Sequence, residues 1–287
     1  MTEKKELVRK ALSFSCEPLP RLPKGELFIF DEFLDSFVPE KLGLGERIAR
    51  LSWNLGLDLV PFSYDRLDSL DTTDLKILSE FFLVLNIPGP FSYSVSQKGY
   101  LETLKILGRD PKRFLLLVEE HLFRVLSDLP KIKEKGFDGI SIVDDIAGTS
   151  GLLFSFRIFD SMIKPFLEKV TMCAKSEGLY VFFHSDGYVE EILPFLVELK
   201  IDCLSTWDQQ AHMDIYAHKD RFFGNVSFMG TIDLLSWDEK KIIEEIKREE
   251  AEFSSGGLIL GSSLGLSKEI PIGKLSLLYP KIKHHIR

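Results

Sequence analysis

Short runs of strand-forming residues alternate with longer stretches of helical spacing along most of the chain. The runs fall at Glu26–Phe30, Asp58–Phe62, Phe82–Ile87, Gly139–Val143, Leu179–Phe183, Cys203–Thr206, Gly224–Met229 and Leu258–Leu260. Between them, apolar residues recur at helical spacing over Gly45–Leu55, Tyr100–Leu107, Pro111–Lys135, Phe156–Ser176, Tyr188–Leu199, Ala211–His218 and Asp238–Phe253. The link between the second and third runs carries the weakest pattern. Strand-helix alternation implies parallel strands joined by crossovers, and eight of them close most naturally into an α/β fold of the (β/α)8 TIM-barrel type. An open doubly wound sheet is the alternative.

Length agrees with one domain over residues 1–287, because such barrels run to about 250 residues as a single unit. With 45% hydrophobic and 28% charged residues, the chain is expected to be neither disordered nor a membrane protein. It has no uninterrupted apolar run of about 18 residues and no apolar signal segment after Met1, so the expected location is the cytoplasm. Thirty-six basic against 44 acidic residues, a net charge of −8, argue against a nucleic-acid partner. Cys16, Cys173 and Cys203 are scattered and odd in number; Cys173 and Cys203 at least read as buried free thiols. His121, His212, His218 and the terminal His284-His285 sit in helical or tail patterns and are expected to face solvent. The charged stretch 238–253 reads as the water side of a helix capped by Asp238. A monomer or homodimer is expected.

The most informative segment runs from Val181 to Asp214. It places His184 and Asp186 where a strand ends, followed by the Asp186-Gly187 turn signal and a helical pattern. Other strand ends also collect polar residues: Asp144-Asp145 after GISIV, Trp207-Asp208 after LST, Asp233 after GTI, and Ser262-Ser263 after LILG. In a parallel barrel these ends meet at one rim, where such folds keep their chemistry. Each residue also has a purely structural reading. His184 would bond a neighbouring loop, Asp186 would serve the turn, Asp144-Asp145 would cap a helix, Trp207 would pack, and the serines would form a Gly-Ser turn.

The long segments GFDGISIVDDIAGTSGLLFSFRIFDSMIKPFLEKV, HSDG, MGTID and GGLILGSS occur in an order that resembles the uroporphyrinogen decarboxylase (URO-D) superfamily, which includes corrinoid-dependent methyltransferases. The resemblance covers most of the chain and implies a single URO-D-like TIM barrel. It departs from the true decarboxylases between Gly25 and Gly43, where their arginine-rich motif is replaced by Glu26, Asp31, Glu32 and Asp35. A polycarboxylate substrate would then meet an acidic entrance. Several methyltransferase relatives hold zinc with a His-x-Cys pair and a later cysteine; here the pair is His184-Ser185-Asp186, and the loop near Ser263–Gly265 has no cysteine. A harder site of His184 with Asp186, Asp144 or Glu26 would still hold zinc and would suit an ether oxygen better than a thiol.

The expectation is therefore methyl transfer between a small methylated or methoxylated substrate and a corrinoid carried by a partner protein. His184, Asp186 and Asp144 would be catalytic, with His184 and Asp186 as metal ligands. Glu26, Asp145, Trp207, Ser262 and Ser263 would contact substrate. A uroporphyrinogen decarboxylase-type lyase and a non-catalytic barrel that binds a tetrapyrrole or corrinoid protein are the alternatives.

Overall fold

The computed structural model describes residues 2–14, 17–38 and 41–284; Cys16, His285 and the His284 side chain lie outside the described part. Strand and helix alternate along it. The strands are β1 (Leu59–Ser63), β2 (Phe82–Pro88), β3 (Gly139–Val143), β4 (Ala147–Gly148), β5 (Gly151–Leu152), β6 (Tyr180–His184), β7 (Cys203–Ser205), β8 (Ser227–Met229) and β9 (Leu258–Ile259). The chain divides into two compact units, Met1–Val84 with Ile215–Arg287, and Leu85–Asp214.

In the first unit β8 pairs with β9 in parallel, Phe228 opposite Leu258 and Met229 opposite Ile259. Isolated bridges from Lys24 to Leu260 and from Gly25 to Leu59 continue the pairing to β1. The strand expected over Glu26–Phe30 is reduced to these bridges and one from Ile29 to Leu266. The interruption has a local cause: the Ser262 amide donates to the Glu26 carboxylate at 3.0 Å, so a side chain replaces a rung of the ladder. Close approach fixes glycine nearby, since a Cβ on Gly261 would stand 2.1 Å from the Gly25 carbonyl oxygen. Helices over Glu3–Leu12, Asp31–Phe37, Thr72–Leu78 and Ile272–Leu278 add to the patterned ones. Asp238 caps the helix Glu239–Glu252 through the Lys241 amide at 2.8 Å, as its position predicts. That helix is not wholly solvated, however. Glu249 is fully buried, and burial raises its carboxyl to about 8.

In the second unit β3, β6 and β7 run parallel, with Val143 opposite His184 and His184 opposite Ser205. Their residues are almost wholly buried, as the continuous apolar runs imply. The segment after β3 forms a small antiparallel hairpin, β4 with β5, too short to leave a periodic signal. The helix expected over Phe156–Ser176 forms with a π-helical turn, Phe159–Ile163, just before Pro165, which has no amide hydrogen to continue an α-helical ladder. His121 corrects the solvent expectation: it is fully buried, stacked between Tyr93 at 4.0 Å and Phe166 at 5.4 Å, with Nε2 2.6 Å from the Pro88 carbonyl. Burial holds its pKa down to about 4. His218, in the first unit, is also buried and stacks on Phe222; His212 is exposed. Periodicity placed these histidines in helical patterns but could not tell an aromatic-lined face from a wet one, and His212 lies before the helix Ile215–Phe222. Cys203 is buried and Cys173 half-buried, both free.

Candidate metal centre

The parallel register of β3 and β6 determines which polar residues meet. With Val143 opposite His184, the residues just beyond β3 lie beside the turn that follows β6. Four contacts clamp these loops together. The Asp144 amide donates to the His184 carbonyl at 2.9 Å, the Ile146 amide to Ser185 Oγ at 3.2 Å, the Asp186 amide to Asp145 Oδ1 at 3.3 Å, and the Tyr188 amide to the Gly148 carbonyl at 2.8 Å. Gly187 is required here: its φ is 87°, and a Cβ would stand 2.7 Å from the Ala147 carbonyl.

The result is a cluster of Asp145, His184 and Asp186, each offering one ligand atom, all within 4.8 Å of one another. His184 Nε2 lies 3.7 Å from an oxygen of Asp145 and 3.7 Å from one of Asp186. The imidazole is buried at 5% exposure, whereas both carboxylates reach solvent. Loss of surrounding water raises the Asp186 carboxyl above its ordinary value; His184 opposes this, and the like charges of Asp145 and Asp208 add to it.

This donor set fits a divalent metal. Zinc ligands at about 2.1 Å in a tetrahedron stand roughly 3.4 Å apart, so the two separations from His184 need to contract by only a few tenths of an ångström, and the exposed carboxylates have freedom to close on each other. One imidazole and two carboxylates form a hard, oxygen-rich set with room for an exogenous ligand. Asp145, read from sequence as a substrate contact, is the third donor.

Asp144 does not join this cluster. It is fully buried, and one oxygen accepts from the Ser92 amide at 2.7 Å, at the start of the helix Pro90–Lys98. Burial raises its carboxyl to about 7, against the pull of the Ser92 and Phe91 amides. Ser92 Oγ in turn accepts from the Asp145 amide at 3.1 Å, so Asp144 and Ser92 together seat the backbone of Asp145. The helix-cap reading thus describes Asp144, although the helix lies upstream of it. Trp207 is buried, with Nε1 donating to the Leu204 carbonyl at 2.8 Å, a packing role.

In the first unit, Glu26 and Ser262 meet each other and Tyr279, which the sequence reading missed because it lies 253 residues from Glu26. Glu26 accepts from the Ser262 amide at 3.0 Å, Ser262 Oγ at 2.7 Å and the Tyr279 hydroxyl. Burial raises its carboxyl to about 7, while these three bonds lower it. The Ser263 amide is occupied by the Ile232 carbonyl at 3.0 Å. Three of the four carboxylates expected to form an acidic entrance between Gly25 and Gly43 are paired with cations. Asp31 pairs with Arg66 and Glu32 with Lys268, each at 2.5 Å, and Asp35 pairs with Arg47. Cations supplied from elsewhere in the chain offset a local excess that sequence alone showed as unopposed.

Residues 68–285 match the family described as uroporphyrinogen decarboxylase (URO-D). The chain belongs to this family. No curated protein matches the sequence as a relative. Among solved structures, the URO-D-family chain is similar to a methyltransferase from Methanosarcina mazei, with TM-score 0.72 and 17% identity over 99% of each chain. It is also similar to D-psicose 3-epimerase with D-tagatose from Clostridium cellulolyticum H10, with TM-score 0.51 and 8% identity over 92% of this chain and 96% of the other. An archaeal fructose 1,6-bisphosphate aldolase gives TM-score 0.50 and 13% identity over 97% and 98%. At these identities the likenesses show the fold alone, an α/β fold of the (β/α)8 type. Among the described residues no helix is long and apolar enough to cross a membrane.

Proposed function

We propose that this URO-D-family protein is a methyltransferase that moves a methyl group between a small methoxylated substrate and a corrinoid carried by a partner protein, using a divalent metal, zinc foremost, held by Asp145, His184 and Asp186. The observation that carries the proposal is the convergence of these three donors around one point at the ends of adjacent parallel strands. Membership of the URO-D family, with a fold shared with the Methanosarcina mazei methyltransferase, is consistent with this reaction class.

When bound, the metal would supply Lewis acidity at an ether oxygen, a role that two carboxylates and an imidazole suit better than thiol activation. His184 presents Nε2 from a buried position, while the solvent-reaching Asp145 and Asp186 leave an approach for the substrate oxygen. Loss of the methyl group leaves a negative charge on that oxygen, which takes up a proton. Solvent reaches the site through Asp145 and Asp186 and supplies that proton, while half-buried Asp208, after β7, contributes like charge that helps raise the Asp186 carboxyl.

The test is metal content by mass spectrometry of the protein and its His184→Ala variant, followed by turnover. Near-stoichiometric zinc lost in the variant, and methylcobalamin absorbance from a methoxylated aromatic and a reduced corrinoid protein, are the expected results. Carbon dioxide release from uroporphyrinogen would replace the proposal with a lyase. Corrinoid-protein binding without turnover across a broad substrate panel would replace it with an accessory role.

A further inference from the structure

His184 can take a metal through either ring nitrogen, and its surroundings select one. Nε2 faces Asp145 and Asp186, each at 3.7 Å. The other ring nitrogen, Nδ1, lies 3.4 Å from Ser205 Oγ. Ser205 is the register partner of His184 across β6 and β7, so the two side chains rise from neighbouring points of one sheet. It is buried at 6% exposure, at the end of a strand whose other residues, Cys203 and Leu204, are also buried.

We infer that Ser205 is a positioning residue of the metal centre, its hydroxyl accepting the Nδ1 hydrogen of His184 so that the ring keeps Nε2 turned toward the two carboxylates. This rests on the metal reading proposed above. The physical ground is that a metal-binding imidazole is held by the partner of its other nitrogen. Without that partner, the ring can rotate and the proton can sit on either nitrogen. At 3.4 Å the contact is at the long end for a hydrogen bond, held in place by the register of β6 and β7.

The decisive comparison is Ser205→Thr against Ser205→Val, which differ by a hydroxyl and a methyl group at nearly equal volume and both suit a strand. Zinc affinity is measured by competition with a chromophoric chelator, and the cobalt(II)-substituted proteins are compared by visible absorption. The expected result is zinc binding weakened about 10–100-fold in Ser205→Val and Ser205→Ala, with altered cobalt bands, and both properties near those of the unaltered protein in Ser205→Thr. Nitrogen NMR of the zinc-loaded protein should show the His184 proton on Nδ1. Equal affinity and equal spectra in the Thr and Val variants would overturn the inference while leaving the metal reading intact. Failure of the unaltered protein to take up zinc or cobalt would overturn both.

Discussion

Glu26 and Asp186 are both carboxyls beside strand ends, and burial raises both, yet they are prepared for opposite tasks. Glu26 is fully enclosed and accepts three donors, from Ser262 twice and from Tyr279. Its lone pairs are committed, so it ties distant parts of the chain together and has little left for a ligand. Asp186 keeps 52% of its side chain in solvent and points an oxygen at His184 Nε2 beside a second carboxylate. Two acids and one imidazole within 4.8 Å of one another form an electrostatically incomplete arrangement, which a cation would complete. A polar residue at a strand end thus stays available to a ligand only when the neighbouring loops leave it unsaturated.

The sharpest way to break this contrast is to remove the imidazole. His184→Ala should lose metal by more than the roughly 10–100-fold that loss of an outer-shell partner costs, measured by mass spectrometry after dialysis. Glu26→Gln should leave metal content unchanged. Metal loss in the second variant and not in the first would reverse the assignment.

A second group of effects concerns stability. Tyr279→Phe removes a donor from the buried Glu26 and should cost about 1–3 kcal/mol in urea unfolding, again without changing metal content. Glu249 should respond to pH. Its carboxyl is raised to about 8 when folded, so between its unfolded value near 4.5 and that point the native state holds more protons than the unfolded chain. Its contribution to stability therefore falls as pH rises through this window, by an amount on the order of a few kcal/mol. Glu249→Gln should be close to neutral at pH 5 and more stable than the unaltered protein at pH 9. A constant difference between the two pH values would contradict the burial account.

The smallest effect refines the open site. Metal uptake competes with protonation of Asp186, whose carboxyl is raised, so apparent affinity should increase with pH. Asp208→Asn removes one of the like charges that raise it and should move the midpoint of metal uptake to lower pH, followed by isothermal titration across a pH series. A midpoint that stays in place would show that Asp208 has no electrostatic hold on the site.

Much of this was legible from the chain. Seven of the expected runs became strands, because runs such as GISIV and YVFF can satisfy their apolar side chains only inside a sheet covered on both faces. Length and alternation pointed to the (β/α)8 type, and the strand ends marked where polar residues collect. The short helices Asp31–Phe37 and Thr72–Leu78 were less legible, since seven residues span barely two turns of a periodic pattern.

Local sequence therefore determined where strands begin and end and which residues stand at their tips, because strand propensity and hydrophobic period act over a few neighbouring positions. Only the tertiary structure decided between the neighbours Asp144 and Asp145. The pairing of β3 with β6 and the helix beginning at Pro90 bury the first as a cap and leave the second facing His184. The same holds for Tyr279 on Glu26, for Ser205 on His184, and for the cations that balance Asp31, Glu32 and Asp35. Each partner comes from a different part of the chain, and hydrogen bonds and charge pairing act over a few ångströms in space whatever the separation in sequence.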